Sequence, residues 1–492
     1  MVCILLSTFY SIIAQDIIVP GGTYYRTEVS GNASNGNVAP FWFSANKFGL
    51  SSIEPNSGYL RAGIFRTIDS DSTSNWHYGY GIDVAVPLQF TSSFILQQAY
   101  SVLQYKNALL TLGAKEIPSE MLNPDLSSGG LTLSSNYRPI PQIRIETPNW
   151  WKLHFTNDWV SLKAHIAFGA YTDGEWQKDF AVHGSMYSEK SLFHSKSGYI
   201  RVGRDNVDHF SCTFGLQMAC QFGGEAYNIM GYRPTPDEPD RKFNIFNGFK
   251  SFWNAFIPGG SDVNDGDYKN VEGNHSGNYY FDIAYKTTNW NLRAYAQHYF
   301  DDHSQMFLEY GLWKDMLLGI EAQLPRNPFI NNVVVEYLRT DDQTGGLYHD
   351  HTENLPDQIS GKDDYYNHHV YGAWQHWGQA VGTPFCLSPI YNSNGKLNFY
   401  HNRVKALHIG LEGNPLRNVN YRILYSYLKS LGSYDYPTVD PMYQNYFLGE
   451  LSYHSDKMKG WAGKISVAFN QGDIIPNSTG FSFSISKTGN LF

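Results

Sequence analysis

The chain has 492 residues, of which 16% are charged and 16% aromatic, and its formal net charge is −9. Phosphate binding requires clustered Lys and Arg, so this charge argues against a nucleic-acid partner. An average soluble domain has roughly 25% charged residues, whereas this chain has few charges together with 36 Tyr and 12 Trp. Transmembrane β-barrels need a lipid face almost free of charge and aromatic girdles at both rims, so this composition favours that class.

Residues 1–14 form an apolar stretch that is too short for a membrane-spanning helix, which needs about 20 residues. We interpret it as a secretory signal peptide that ends near Ala14 and Gln15, although it lacks the usual positive first region. A buried first strand is the alternative. Residues 15–492 are then predicted to form a single barrel domain.

Two segments alternate apolar and polar side chains with the period of a β-strand. Residues 76–86 and 210–222 each place aromatic and aliphatic side chains on one face and small or polar ones on the other. Each is long enough to cross a bilayer, which takes ~9–11 tilted residues. Similar segments lie near residues 59–68, 94–104, 109–115, 160–168, 199–204, 279–286, 290–296, 317–324, 333–339, 405–411, 421–427, 446–453, 461–469 and 481–485.

These segments predict an all-β protein, a transmembrane antiparallel β-barrel of about 16–18 strands with long loops and a short helical segment. Long connections are expected near residues 224–277 and 341–402. Aromatic residues at helical spacing run from Phe243 to Phe256, and Pro258 ends the pattern. This helix would plug the lumen, lie at the membrane surface or pack on the wall of the barrel.

Residues 365–377 combine aromatic rings with polar side chains at high density. Sugars present apolar C–H faces to aromatic rings and hydroxyls to polar groups. Our hypothesis is therefore a polysaccharide-binding surface, and the alternative is that these aromatics pack within loops or at the membrane interface. The residues of the hypothesis are Tyr365, Tyr366, Asn367, Trp374, His376 and Trp377.

Other polar clusters carry weaker hypotheses. His349, Asp350 and His351 resemble metal ligands, but the spacing fixes no third ligand, so no metal is predicted. Asp301 and Asp302 with Glu336 would provide paired carboxyls for glycoside hydrolysis, yet polar residues of a barrel lumen explain them more simply. We predict no catalytic residue and no cofactor.

Several short runs of sequence are spread over nearly the whole mature chain, and they begin at Ala39, Asn56, Arg138, Gly273, Gln297, Glu336, Gln343, Asp364 and Asn402. In content and order these runs resemble the capsule assembly Wzi family. The resemblance implies an outer-membrane barrel of about eighteen strands in a Gram-negative bacterium that holds exported polysaccharide in a lectin-like way.

The sequence thus predicts a non-enzymatic outer-membrane protein that binds or anchors capsular or other surface polysaccharide and assists capsule assembly. Its further partners would be outer-membrane lipid and, during biogenesis, the machinery that inserts barrels. One alternative is a diffusion channel or specific porin. Another is a membrane-embedded hydrolase of glycans or lipids, whose turnover would depend on Asp301 or Asp302.

Overall fold

The computed structural model describes residues 19–69, 74–204, 207–229, 234–258, 272–301, 305–306, 314–325, 327, 329–346 and 360–491. The predicted signal peptide, Asp302 and the triplet from His349 to His351 lie outside these residues. The statements on structure below concern the described residues.

Eighteen antiparallel strands form one closed barrel, which confirms the predicted fold class. Each strand pairs with its neighbours in the chain, and the first strand pairs with the last, from Tyr24 opposite Asn490 to Ser34 opposite Gly480. The strands are β1 Thr23–Ser34, β2 Asn56–Arg66, β3 Trp76–Leu88, β4 Ile95–Tyr105, β5 Ala108–Ala114, β6 Gln142–Glu146, β7 Val160–Ala170, β8 Leu192–Val202, β9 Phe210–Phe222, β10 Asn274–Lys286, β11 Asn291–Asp301, β12 Met316–Gln323, β13 Asn332–Arg339, β14 Val404–Leu416, β15 Val419–Gly432, β16 Pro437–His454, β17 Trp461–Gly472 and β18 Ser478–Asn490.

The connections differ strongly between the two ends of the barrel. At the end where β1 begins and β18 ends, the turns are short, and only residues 106–107 separate β4 from β5. At the other end lie the long connections 35–55, 115–141, 171–191, 223–273 and 340–403. We call these ends the short-turn mouth and the long-connection mouth.

The alternation of apolar and polar side chains predicted from the sequence places apolar side chains on the lipid face of the barrel and polar side chains in the lumen. In β3, Ile82 is 53% exposed on the outer face, whereas its neighbour Asp83 is fully buried and points into the lumen, where it pairs with Arg61. Exposed aromatic side chains ring the outer face near the short-turn mouth, as expected for a membrane interface. They include Trp76, Tyr105, Trp151, Phe210, Trp290, Tyr453 and Trp461.

Three short helices lie in the long connections: α1 Phe41–Ser44, α2 Gly174–Phe180 and α3 Phe249–Phe256. Helix α3 is shorter than predicted, because Lys242–Asn244 is a strand that pairs with Glu225–Tyr227. The helix does not plug the lumen. It packs on the outer wall, where Phe252 and Ala255 cover Cys220 and Phe222 of β9.

Short paired segments and turns make up the remaining regular structure of the connections. They are Trp151–Lys152, which continues β6 along β7, together with Tyr187–Glu189, Thr344–Gly346, Ser360–Lys362, Asn367–His368, Gly372–Ala373, Gln375–His376 and Gln379–Ala380, and the 3-10 turns His154–Thr156 and Pro389–Tyr391.

No helix in the described part of the chain is long and apolar enough to span a membrane.

Candidate functional site

Three connections from the long-connection mouth turn inward and occupy the lumen on that side: residues 35–55, 115–141 and 363–402. We call them the plug. They bind one another, since Trp374 Nε1 donates a hydrogen bond of 3.1 Å to the carbonyl oxygen of Thr132, and Tyr366 donates its hydroxyl to that of Leu131. The centre of this contact is buried and largely aromatic.

The plug is also bound to the wall of the barrel around its circumference. Thr132 Oγ1 donates to Asn278 on β10 at 2.7 Å, and the carbonyl oxygen of Leu126 lies 2.8 Å from His408 Nε2 on β14. Phe41 stacks on Tyr446 of β16 with ring centroids 4.1 Å apart. These contacts come from widely separated strands, so the inward segments cross the lumen.

Glu336 anchors the middle of residues 115–141. Its carboxyl group accepts hydrogen bonds from Ser127 Oγ at 2.6 Å, from the backbone N–H and Oγ of Ser128 at 2.7 and 2.6 Å, and from the Tyr295 hydroxyl at 2.5 Å. A carboxyl group with four protein donors has few positions left for a substrate or water. This geometry gives Glu336 a structural role.

Glu120, near the start of the same connection, has a comparable set of partners. Arg144 Nη2, the Tyr199 hydroxyl and Gln217 Nε2 donate to it at 2.8, 2.9 and 3.2 Å, and His165 Nδ1 lies 2.7 Å away. These partners come from β6, β7, β8 and β9. The connection is therefore held through hydrogen-bonded carboxyl groups at two points, by Glu336 on β13 and by its own Glu120 against β6 to β9.

The six residues of the polysaccharide hypothesis all lie in the plug, and four of them are buried. Tyr365 and Tyr366 are 1% and 2% exposed, and Trp374 and His376 are 0% exposed. Tyr365 donates its hydroxyl to Asp315 at 3.0 Å. These four side chains pack inside the protein and have no face for a sugar ring in this conformation.

Hydrogen bonds fix the state of His376. Its Nδ1 lies 2.8 Å from the carbonyl oxygen of Arg138, which only accepts, so Nδ1 carries the proton. Its Nε2 accepts from the backbone N–H of Thr172 at 3.2 Å. Burial lowers the pKa of His376, although the nearby Asp173 and the hydrogen bond to the Arg138 carbonyl oxygen oppose the shift, and this favours the neutral ring. The residue joins the plug to the connection 171–191.

Asn367 is half-buried and also has a structural contact, because its Nδ2 donates to Asp364 at 2.9 Å and to the carbonyl oxygen of Phe399 at 3.1 Å. Burial raises the pKa of Asp364 to about 6 against these amide donors. The other amide donor is Asn402, whose Nδ2 also donates to the carbonyl oxygen of Tyr365 at 2.7 Å. The structure thus brings Tyr365 and Asn367 together around one polar cluster, whereas the Tyr366 hydroxyl points to Leu131.

Trp377 differs from the other five, because it lies half-buried at the edge of the plug. The Arg138 guanidinium stacks 4.1 Å from its ring centroid, the Trp176 ring lies 6.4 Å away, and Trp377 Nε1 donates to Thr172 at 3.1 Å. We call Trp176, Trp377, Arg138 and Thr172 the Trp377 patch. It combines two aromatic rings with a cation and a hydroxyl.

Sequence reasoning missed Trp176, Arg138 and Thr172, because the three are far from residue 377 in the chain and only the fold brings them together. Burial lowers the pKa of Arg138 to about 10, although Asp173 opposes that shift. A guanidinium that is only 6% exposed, with its Nη atoms on Thr91 and Ser92, is held rigidly beside the indole. Its contact with the Trp377 ring is a cation–π interaction.

The carboxyl groups of the hydrolase alternative do not form an open pair among the described residues. Asp301 is 4% exposed and accepts the backbone N–H of Tyr366 at 3.0 Å, and Asp302 lies outside those residues. In the described part of the chain, no group of three or more His, Cys, Asp and Glu side chains is arranged to hold a metal ion.

A closed eighteen-stranded antiparallel barrel with an apolar outer face and a lumen occupied by its own connections defines the class of outer-membrane β-barrels. Among solved structures, the chain is similar to Wzi of Escherichia coli, an outer-membrane protein involved in group 1 capsule assembly and described as a carbohydrate-binding β-barrel. The TM-score is 0.56 at 15% identity, over 94% of this chain and 83% of that one. This likeness shows the fold.

Two further solved structures are also similar to the chain. The alignment with OccAB4 of Acinetobacter baumannii spans 96% of this chain and 98% of OccAB4 at 9% identity, with a TM-score of 0.46. The alignment with OpdL of Pseudomonas aeruginosa spans 96% of this chain and 99% of OpdL at 9% identity, with a TM-score of 0.47. No family model and no curated protein sequence matches the chain.

Proposed function

We propose that this protein is a Wzi-like barrel of the Gram-negative outer membrane that binds surface polysaccharide and assists capsule assembly without catalysing a reaction. The observation that carries the proposal is the plug, whose residues 115–141 are bound to the wall of the barrel at Ser128, which donates to Glu336, and at Glu120, which accepts from Arg144. A barrel whose lumen is blocked in this way is suited to act at its surface.

The orientation of the barrel follows from the lengths of its connections. In bacterial outer-membrane barrels the short turns face the periplasm and the longer loops face the outside. The long-connection mouth, with the plug entrance and the Trp377 patch, would therefore face the exported polysaccharide. The apolar outer face supports outer-membrane lipid as a partner, and a closed barrel of this kind needs insertion machinery during biogenesis.

Of the six residues in the polysaccharide hypothesis, Trp377 has the aromatic side chain that a sugar ring can reach, and it does so as part of the Trp377 patch. Sugar rings stack their C–H faces on indoles, and the exposed Thr172 provides a hydroxyl beside the ring, while the buried Arg138 holds the indole in place through its cation–π contact. His376 supports this surface directly, because it is hydrogen-bonded to the backbone of Arg138 and of Thr172. Tyr365, Tyr366, Trp374 and Asn367 contribute as packing and hydrogen-bonding residues of the plug.

The test is the amount of cell-bound and released polysaccharide in a strain that lacks the gene, complemented with wild type or single variants. Wild type and Trp377→Phe should retain polysaccharide on the cells, because both keep an aromatic face, whereas Trp377→Ala should shift it into the medium. Tyr436→Ala, an exposed aromatic at the same mouth, is the control. Equal retention with and without the gene would overturn the proposal.

A further inference from the structure

A cavity of about 350 Å³ occupies the half of the lumen near the short-turn mouth. Its wall runs from Tyr24 and Thr488, close to that mouth, to Phe43 and Leu50 of the plug. The volume lies at the lower end of the ~300–1,000 Å³ that is usual for small-molecule sites. The cavity therefore has room for a small ligand on the side of the barrel opposite to the Trp377 patch.

Lys47 enters this cavity from the plug. Two cations of the wall face it, and both have a carboxylate partner: Arg422 lies 3.1 Å and Lys464 lies 3.6 Å from the carboxyl oxygens of Glu450. Within the described residues, the Lys47 ammonium forms no hydrogen bond and no ion pair. The Glu450 carboxylate thus pairs with two cations, and Lys47, the third cation of the group, has no carboxylate partner among the described residues.

The electrostatics of this group favour an anion. Burial, and then repulsion from Arg422 and Lys464, lower the pKa of Lys47 to about 7, while Glu450 and Glu28 oppose the shift. A ligand carboxylate placed among the three cations would be attracted to them and would restore the charge on Lys47.

The wall beside the cations is lined with hydroxyl groups. Ser482, Ser484 and Ser486 alternate along β18 and all line the cavity, about 7 Å apart at the usual strand rise. In the register of the sheet, Ser484 lies opposite Ser30 on one side and Lys464 on the other. Hydroxyls donate and accept, so this ladder suits a ligand with several hydroxyls of its own.

We propose that this cavity binds a sugar unit that carries a carboxylate and enters from the short-turn mouth. The carboxylate lies against Lys47, Arg422 and Lys464, and the ring hydroxyls bind the serine ladder of β18 and Ser30. The site is separate from the polysaccharide surface proposed above, and it gives the barrel a second binding function on its inner side.

The test uses the full chain purified in detergent micelles, with glucuronate, glucose and acetate as probes in calorimetric titrations. At about pH 6, glucuronate should bind at least tenfold more tightly than glucose, which lacks the carboxylate, or acetate, which lacks the hydroxyls. Lys47→Met should weaken glucuronate binding at least tenfold. At about pH 8.5 the wild type should also bind more weakly, because Lys47 loses its proton above a pKa of about 7 while the glucuronate stays ionised.

Lys190→Met is the matched control, since Lys190 is an exposed lysine on a long connection. It should keep wild-type affinity, and heat-dependent electrophoretic mobility should show that both variants are folded. No glucuronate binding, equally tight binding of acetate, or a folded Lys47→Met variant with wild-type affinity would each overturn the inference. Polysaccharide retention by cells depends on the other mouth, so failure here is distinguishable from failure of the surface proposal.

Discussion

The carboxyl group of Glu336, on the barrel wall, accepts the backbone N–H of Ser128 in the lumen at 2.7 Å. A backbone N–H has a fixed direction, whereas a hydroxyl can rotate toward another acceptor. This bond therefore fixes the position of the plug relative to β13 more firmly than the bonds of the neighbouring hydroxyls do. The adjacent Ser127 and Tyr295 hydroxyls bind the same group. The pair is therefore a suitable point at which to test whether the plug stabilises the barrel.

Glu336→Met should lower the free energy of unfolding by at least about 3 kcal/mol. Methionine keeps the approximate length but removes both oxygens, and each buried donor left without an acceptor costs about 1–3 kcal/mol. Glu336→Gln retains one acceptor and should cost less. Urea unfolding in detergent micelles measures both, with the exposed Glu175→Gln as control. Equal stability of Glu336→Met and wild type would contradict the anchoring role.

Trp374 and Trp377, only three positions apart, should respond differently to replacement by alanine. Trp374 is fully buried, so Trp374→Ala should destabilise the protein by about 3–5 kcal/mol through the cavity it leaves. Trp377→Ala should lower the free energy of unfolding by about 1 kcal/mol or less and should instead reduce the retention of polysaccharide on cells. Thermal unfolding of each purified variant, compared with polysaccharide retention by cells that carry it, checks this. A Trp377→Ala variant less stable than Trp374→Ala would show that the burial of the two residues is assigned wrongly.

The stability of the plug should depend on pH through Asp364. Burial raises its pKa to about 6 in the folded protein, above the ordinary value of about 3.9 for an aspartate. The folded state therefore binds more protons between these values, so Asp364 contributes stability that is present below about pH 4 and is lost as the pH rises through about 6. A shift of this size corresponds to about 2 kcal/mol after allowance for partial exposure.

Asp364→Asn should remove this part of the pH dependence in unfolding titrations between about pH 4 and about pH 7. The dependence should not vanish, because burial also raises the pKa of Asp315 to about 6. Asp237→Asn, at an exposed position of the connection after β9, is the control. A wild-type profile in Asp364→Asn would mean that Asp364 does not titrate in this range.

The outer face of β3 should not tolerate charge. Ile82 lies near the middle of the strand and faces lipid, so Ile82→Arg should destabilise the inserted barrel by about 2–4 kcal/mol. Val439→Arg changes a fully exposed residue near the long-connection end of β16 and should have little effect. Unfolding in lipid vesicles compares the two variants. Equal effects would place Ile82 outside the bilayer.

Much of the barrel could be predicted from the sequence, because strands with one lipid face keep a strict period of two. Segments such as 76–86 and 210–222 show this period clearly and are strands in the structure. Strand β1, from Thr23 to Ser34, was missed, since its outward positions include Gly31 and Ala33 and show little contrast with the polar inner face.

The site was harder to predict. A plug needs a core of its own, and a buried cluster such as Tyr365, Tyr366 and Trp374 has the same composition as a sugar-binding surface. Sequence spacing does not distinguish the two, because burial here depends on contacts with Leu131 and Thr132, more than 200 residues away. Arg138, from another connection, completes the Trp377 patch for the same reason.

Single-channel recording in planar lipid bilayers tests the central claim most directly, namely that the plug closes the barrel so that it acts at its surface. The wild type should insert without stable conductance, and a variant in which residues 120–134 are replaced by a short Gly-Ser linker should open ion-conducting pores. Large, stable openings of the wild-type protein would contradict the account and favour a diffusion channel or porin.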